Sequence, residues 1–208
     1  MKLKKIFLFV LINISLNLFA QLSTKEETKI EIIKAKLVDN VSVFGIRQLA
    51  VTSNYLRKVM IKTKIVSTKD NKTKLSAFSL LDTKNKIRYR LADYKGYTGI
   101  IGFPELIPFR KEKLYNENGK EMESYLLPPF DSSEKDYFNE FDIEGYTNFE
   151  MKINFGSTKN PQLSTLYFGE TSYKKFTAEL FFAIFVNNIG SDYELYYEDV
   201  KISEIKFE

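Results

Sequence analysis

The chain has 208 residues, with 31 Lys and Arg, 27 Asp and Glu, and neither His nor Cys. These two absences exclude a Ser-His-Asp or Cys-His nucleophile, and they exclude the His and Cys ligand sets that hold zinc, copper or iron. The basic and acidic residues are interleaved along the chain, so the sequence offers no basic stripe for nucleic acid.

The N-terminus has the pattern of a secretory signal peptide. Three lysines lie among the first five residues, and an apolar stretch from Ile6 to Phe19 ends at Ala20, before Gln21. This stretch is shorter than the roughly 20 apolar residues that a membrane-spanning helix needs. The sequence therefore predicts a signal peptide over residues 1–20 and an exported protein, periplasmic or secreted, with no membrane span after cleavage. Because no Cys follows the stretch, we expect no lipid anchor.

The predicted mature protein, residues 21–208, is a single domain made of short strands, with a net charge that falls from +4 to +1 when the three leader lysines are removed. Residues 24–37 contain helix formers, which favour a helix, but also isoleucines at 30 and 32, which favour a strand. In residues 59–66 apolar side chains alternate with lysines at the period of a half-buried strand. Residues 76–80 and 87–91 flank a polar turn and predict a β-hairpin.

The middle of the chain is less regular. Three glycines at positions 96, 99 and 102 predict a bulged strand or a loop. From about residue 109 to 144 the chain is charged and rich in turn residues, which predicts a long hairpin and loops inserted into the domain. Within this region, residues 140–145 alternate acidic and apolar side chains, which predicts a strand with Phe141 and Ile143 facing inward.

The C-terminal third predicts three more strands. Residues 180–186 are apolar throughout, as in a strand buried on both faces, and polar residues 187–192 end it. Strands at 193–197 and 200–207 follow. Many short strands predict an all-β fold, an antiparallel two-sheet sandwich of immunoglobulin-like or jelly-roll type.

Two segments carry a resemblance to a known family. Residues 78–89, in which Phe78, Leu80 and Asp82 precede a polar turn and Tyr89 follows it, resemble the hairpin of the telokin-like, immunoglobulin-type domain of exported bacterial lipoproteins. Residues 185–199 are similar to the closing pair of strands of that family. The resemblance implies an extracytoplasmic β-sandwich that acts as a binding or structural module, with no catalytic residues. The chain departs from the family in lacking the lipid-bearing Cys and in its long middle segment.

Acidic residues of the middle segment are candidates for a calcium site. The alternating acids from Glu140 suggest the first half of an EF-hand loop, but its twelfth position is Met151 instead of Glu, so the EF-hand fails. A calcium site of another kind would use Asp131, Asp136 or Asp142. The alternative is that these acids are solvated surface charges.

Four tyrosines are candidates for stacking on sugar rings. Tyr94, Tyr97, Tyr125 and Tyr137 lie at predicted loops or strand ends. Packing in the core is the alternative for each of them.

The remaining catalytic patterns give no site. Two carboxylates facing each other across a cleft would suit a glycoside hydrolase, but a sequence does not report their distance. Three matches to S-x-x-K, at Ser132, Ser172 and Ser203, lack the accompanying K-T-G. We therefore expect a non-catalytic protein of the bacterial cell envelope, a protein-binding or structural module without a cofactor. The alternative is a glycan-binding jelly-roll module with structural calcium.

Overall fold

A computed structural model describes residues 28–39, 53–68, 72–99, 136–152, 168–171 and 173–208, and the backbone at 112–115, 121–124, 153–154 and 163–164. These residues form strands, turns and two short 3₁₀ helices, at Leu75–Ala77 and Val186–Asn188. The strands are β1 Thr28–Leu37, β2 Leu56–Ser67, β3 Thr73–Lys74, β4 Phe78–Asp82, β5 Ile87–Arg90, β6 Asp93–Tyr97, β7 Glu112–Tyr115, β8 Glu121–Ser124, β9 Thr147–Phe149, β10 Ile153–Asn154, β11 Leu163–Ser164, β12 Glu170–Thr171, β13 Lys175–Phe185, β14 Tyr193–Tyr197 and β15 Val200–Ile205.

Two sheets form the body of the protein. The first has the strand order β1-β2-β13-β6, and the second has the order β15-β14-β4-β5-β9. Neighbouring strands are antiparallel except β5 and β9, which are parallel. One apolar cluster takes side chains from both sheets. The fold is therefore all-β, an antiparallel two-sheet sandwich, as the sequence predicts.

The core follows from the two-residue period of the strands. On β2, Val59, Ile61 and Ile65 are fully buried, while Lys64 and Val66 between and beside them are exposed. Each large apolar side chain that is taken out of water contributes about 1.5–3 kcal/mol. β13 and the second sheet supply the opposing side chains, among them Phe176, Leu180, Phe182, Ile184, Leu80, Tyr89, Tyr193 and Leu195.

The predicted hairpin and the C-terminal strands are confirmed. β4 pairs with β5, and in the turn between them the Asp82 carboxylate accepts hydrogen bonds from the Asn85 backbone N–H, at 2.9 Å, and from Asn85 Nδ2, at 2.8 Å. β14 pairs with both β15 and β4. The apolar run at 180–186 lies in β13 and the turn after it, and Leu180 to Ile184 are buried on both faces of the strand.

Two local features needed the structure. Of the helix and the strand that residues 24–37 left open, the strand is formed over 28–37, where β1 pairs with β2 along its length, with a bulge at Ile33. Its isoleucines at 30 and 32 pack against the core. The prediction of a strand at 140–145 is wrong, because turns and bends take its place. Phe141 and Ile143 are nevertheless half-buried, because this segment packs against the protein without pairing.

The middle region contains a hairpin and a covering segment. β7 and β8 pair as an antiparallel hairpin. Residues 136–146, which we call the strap, cover part of the outer face of the second sheet. Among the three glycines, Gly96 lies in β6 opposite Ala178, Gly99 has a positive φ of 104°, and Gly102 lies outside the described residues. In the described part of the chain, no helix has the length and apolar character needed to cross a membrane.

Candidate functional site

The outer face of the first sheet gathers lysines from all four of its strands. Because side chains alternate between the two faces of a strand, the residues that flank the core positions share the outer face. This lysine face holds eight lysines against three carboxylates, which gives it a formal charge of +5. Its charged members are Lys29, Glu31, Lys34, Lys36, Lys58, Lys62, Lys64, Asp93, Lys95, Lys175 and Glu179.

One row across the lysine face shows how uneven the charges are. Lys34, Lys62, Glu179 and Lys95 lie opposite one another on the four neighbouring strands. The single carboxylate, that of Glu179, lies 3.7 Å from Lys62 Nζ. Lys34 and Lys62 are directly opposed like charges, an arrangement that destabilises a sheet. The opposition of Lys34 and Lys62 therefore does not stabilise the sheet.

Several of these lysines are open to solvent. The side chains of Lys34, Lys62 and Lys64 are 51%, 38% and 49% exposed. Lys34 lies 3.8 Å from Glu208 and Lys64 lies 3.8 Å from Glu31, but exposed ion pairs of this kind contribute at most about 1 kcal/mol each. A charged partner can therefore compete for these ammonium groups.

Two further lysines lie at the sides of one aromatic ring. Lys58 and Lys95 are almost fully buried, and their Nζ atoms lie 5.6 and 5.8 Å from the centroid of Phe181. These distances are within the range of a cation–π interaction. Burial lowers the pKa of both ammonium groups, and the Asp93 carboxylate opposes this shift at each of them.

A cavity of about 310 Å³ opens on the same face. Apolar side chains form part of its wall, and charged side chains of both signs lie around them. Such a combination of apolar surface with a few polar groups is typical of binding sites. The lining residues are Lys36, Leu37, Val38, Asp39, Met60, Glu179 and Phe181.

Tyr97, one of the predicted stacking residues, also lies on this face. Its hydroxyl donates a hydrogen bond to Glu179 Oε2 at 3.3 Å, and Lys62 Nζ lies 5.8 Å from its ring centroid. Burial, with a further contribution from Glu179, raises the pKa of Tyr97 to about 12. Tyr97 is thus half-buried and held in place, beside the row that carries Lys34, Lys62 and Lys95.

The other stacking candidates are placed differently. Tyr94 faces the core, and its ring packs edge-on against Phe168 at 5.2 Å. Tyr137 is buried, and its hydroxyl donates a hydrogen bond to Glu170. The rings of Tyr94 and Tyr137 therefore serve packing. Tyr125 lies outside the described residues.

Asp136, a predicted calcium ligand, is a structural residue of the strap. Both of its carboxylate oxygens accept hydrogen bonds from the Arg90 guanidinium, at 2.6 and 3.1 Å. Asp136 also accepts hydrogen bonds from the Phe138 backbone N–H and from Asn139 Nδ2. Its oxygens are thus fully occupied by neighbouring side chains and backbone.

The other two calcium candidates are not brought to Asp136 as a cluster. Asp142 accepts a hydrogen bond from the Ile143 backbone N–H, and Asp131 lies outside the described residues. Within the described ranges, no three acidic side chains are grouped to hold a metal ion. Calcium binding stays a prediction.

A second arginine, Arg88 of the second sheet, also binds the strap. Arg88 is fully buried on the outer face of the second sheet, its Nη2 donates to the Phe138 carbonyl at 3.0 Å, and its guanidinium lies 4.0 Å from the Phe138 ring. Burial lowers the pKa of Arg88 to about 10, and the carboxylate of Asp142 opposes this shift. Its Nε and Nη1 have no hydrogen-bond partner in the structure as described.

No protein-family model, curated protein or solved structure matches this chain. The resemblance to telokin-like domains therefore stays a prediction. The lysine face was missed by the sequence analysis, although the alternation of lysines with apolar residues at 59–66 carried a signal of it. That pattern places lysines on one side of β2, and only the pairing of the strands adds those of β1, β13 and β6.

Proposed function

We propose that this chain is an exported, non-catalytic protein of the bacterial cell envelope that binds a protein partner through the lysine face. The observation that supports the proposal is the concentration of charge. A formal charge of +5 lies on one sheet face of a chain whose predicted mature form has a net charge of +1. A surface of this kind steers an acidic partner during encounter and fixes its orientation.

The outer face of the second sheet differs from the lysine face. There Lys201 lies between Glu194, at 2.5 Å, and Glu204, at 3.2 Å, so its charge is balanced locally. Arg88 and Arg90 of the same sheet are buried beneath the strap. Among the described strand residues, lysines therefore outnumber carboxylates mainly on the first sheet, which favours that sheet as the interaction surface.

Export is the second part of the proposal. The predicted signal peptide ends at Ala20, and the mature protein would begin near Gln21. Expression of the full chain in a bacterium, followed by mass measurement of the protein in the periplasm and the medium, tests this. A mature mass that begins near Gln21 supports export, and an uncleaved chain confined to the cytoplasm refutes it.

A charge-reversal pair tests the binding surface. Lys34→Glu with Lys64→Glu changes two half-exposed residues of the lysine face, whereas Lys84→Glu with Lys152→Glu makes the same change in charge at exposed positions away from it. The mature wild-type protein and both variants are used to capture partners from an envelope extract.

The comparison among the three proteins decides the outcome. We expect an acidic protein that is retained by the wild type and by the control variant but lost from the lysine-face variant. Equal retention by all three proteins would refute binding through this face. An array of envelope glycans probed with the same three proteins tests the glycan-binding alternative.

A further inference from the structure

We infer that the partner docks an acidic segment with one apolar anchor residue, and that the anchor enters the cavity beside Val38, Met60 and Phe181. This inference rests on the proposed function and adds the chemistry of the partner. The cavity and the lysines belong to one surface, so a single segment can contact both.

The register of the sheet gives the spacing. Met60 forms a row with Lys36 and Phe181, and the next rows along β2 contain Lys62 and Lys64. Alternate residues of a strand lie about 7 Å apart, so these rows are about 7 and 14 Å from the cavity row. In an extended segment, residues i+2 and i+4 lie at the same distances from residue i. The matching pattern is an apolar residue followed by acids two and four positions later.

The acidic residues at the cavity do not oppose this arrangement. Asp39 accepts a hydrogen bond from Arg57 Nη2 at 2.8 Å. Glu179 is engaged by Lys62 and by the Tyr97 hydroxyl. Lys34 and Lys64 are about half exposed, and their own pairs, with Glu208 and Glu31 at 3.8 Å, are exposed and weak, so these two lysines are the main contacts for incoming carboxylates.

The size of the cavity favours a side chain as its occupant. Its volume of about 310 Å³ lies at the lower end of small-molecule sites, which range from about 300 to 1,000 Å³. Leu37 and Val38 of its apolar lining are half-buried and present surface to an incoming side chain, whereas Met60 and Phe181, only 5% and 4% exposed, form the closed part of the wall. An anionic polysaccharide or lipid headgroup would contact the lysines but would have no apolar group for this cavity.

Synthetic peptides test the inference. The first peptide is flexible and uncharged except for Glu at positions i+2 and i+4 after a single Leu, and the second has Ser in place of that Leu. Their affinities for the mature protein are measured by fluorescence anisotropy at low and physiological salt. We expect the Leu peptide to bind about tenfold or more tightly, as expected from burial of one Leu side chain.

Three protein variants locate the contact. Val38→Trp narrows the cavity and should remove the advantage of the Leu peptide, whereas the control Val38→Ile should keep it. Thermal melts of the two Val38 variants show whether they are folded. The double variant Lys34→Glu with Lys64→Glu should weaken both peptides about tenfold or more, with less effect at high salt.

The outcomes separate the two proposals. If the charge variant loses its envelope partner but the Leu and Ser peptides bind equally, the anchor is refuted and the lysine face stands. The anchor is also refuted, and the lysine face stands, if a polyanionic polysaccharide or anionic lipid vesicles bind more tightly than the Leu peptide. If neither peptide depends on Lys34 and Lys64, and the envelope partner is retained by all variants, both proposals fail.

Discussion

Asp136→Ala should release the strap from the second sheet. In the wild type, the Asp136 carboxylate makes two hydrogen bonds to Arg90, which is 2% exposed, while Asp136 itself is 16% exposed. Removal of one member of a buried ion pair leaves the other charge uncompensated and typically costs about 3–5 kcal/mol. Because Glu150 lies 3.7 Å from Arg90 and compensates in part, we expect the lower end, about 3 kcal/mol.

Urea and thermal denaturation measure this loss. For a chain of this size, about 3 kcal/mol lowers Tm by roughly 6–12 °C. The control is Asp199→Ala, which removes an exposed carboxylate from the turn between β14 and β15 and should shift Tm little. A loss below about 1 kcal/mol for Asp136→Ala would refute the claim that the Arg90 pair holds the strap.

The same variant separates an ion pair from a calcium site. If Asp136 acts through Arg90, the wild type should melt at the same temperature in calcium and in chelator, and Asp136→Ala should lose the same stability in both. If Asp136 were a calcium ligand, chelator would lower the Tm of the wild type to that of the variant. That outcome would revive the calcium prediction and contradict the structural role given to Asp136.

Three further substitutions test the roles of Arg88, Tyr97 and Lys34. Arg88→Met removes a buried charge that has two nitrogens without a hydrogen-bond partner, so it should lower the free energy of unfolding by less than about 1 kcal/mol, or even raise it. A loss above about 2 kcal/mol in urea denaturation would contradict this expectation. Because the pKa of Tyr97 is raised in the folded state, the free energy of unfolding should fall as the pH rises from about 10 to 12. We expect a smaller fall of the urea midpoint over this range in Tyr97→Phe than in the wild type. An identical fall in both proteins would refute the role given to Tyr97. Lys34→Glu gives an opposite-charge pair across from Lys62 but loses the weak, exposed pair with Glu208, so the urea midpoint should change little while partner binding weakens. A marked drop in that midpoint would show that Lys34 serves stability.

The sequence predicted the elements whose pattern is local. The alternation at 59–66 and the polar turn before Ile87 each define a strand or hairpin without reference to distant residues. β1 was ambiguous because its own residues suit a helix or a strand, and pairing with β2 decides between them. Residues 140–145 of the strap were wrongly predicted as a strand because the position of the strap depends on Arg88 and Arg90, about 50 residues earlier in the chain.

The candidate site depends even more on distant contacts. In the sequence, lysines and acids are mixed along the whole chain, which indicates no charged surface. Folding separates them, because the register of four strands places eight lysines on one side of the first sheet. The period of each strand was readable, but the face shared by β1, β2, β13 and β6 required the order of the strands.

Site-specific photo-crosslinking in living cells shows whether the lysine face contacts an acidic partner. A photoreactive residue is placed at Thr177, which lies between Lys64 and Tyr97 on the lysine face, and in a second protein at Lys84, in the exposed turn between β4 and β5. We expect a discrete adduct with an acidic envelope protein from position 177 and none from position 84. An adduct from position 84 with none from position 177 would contradict this expectation.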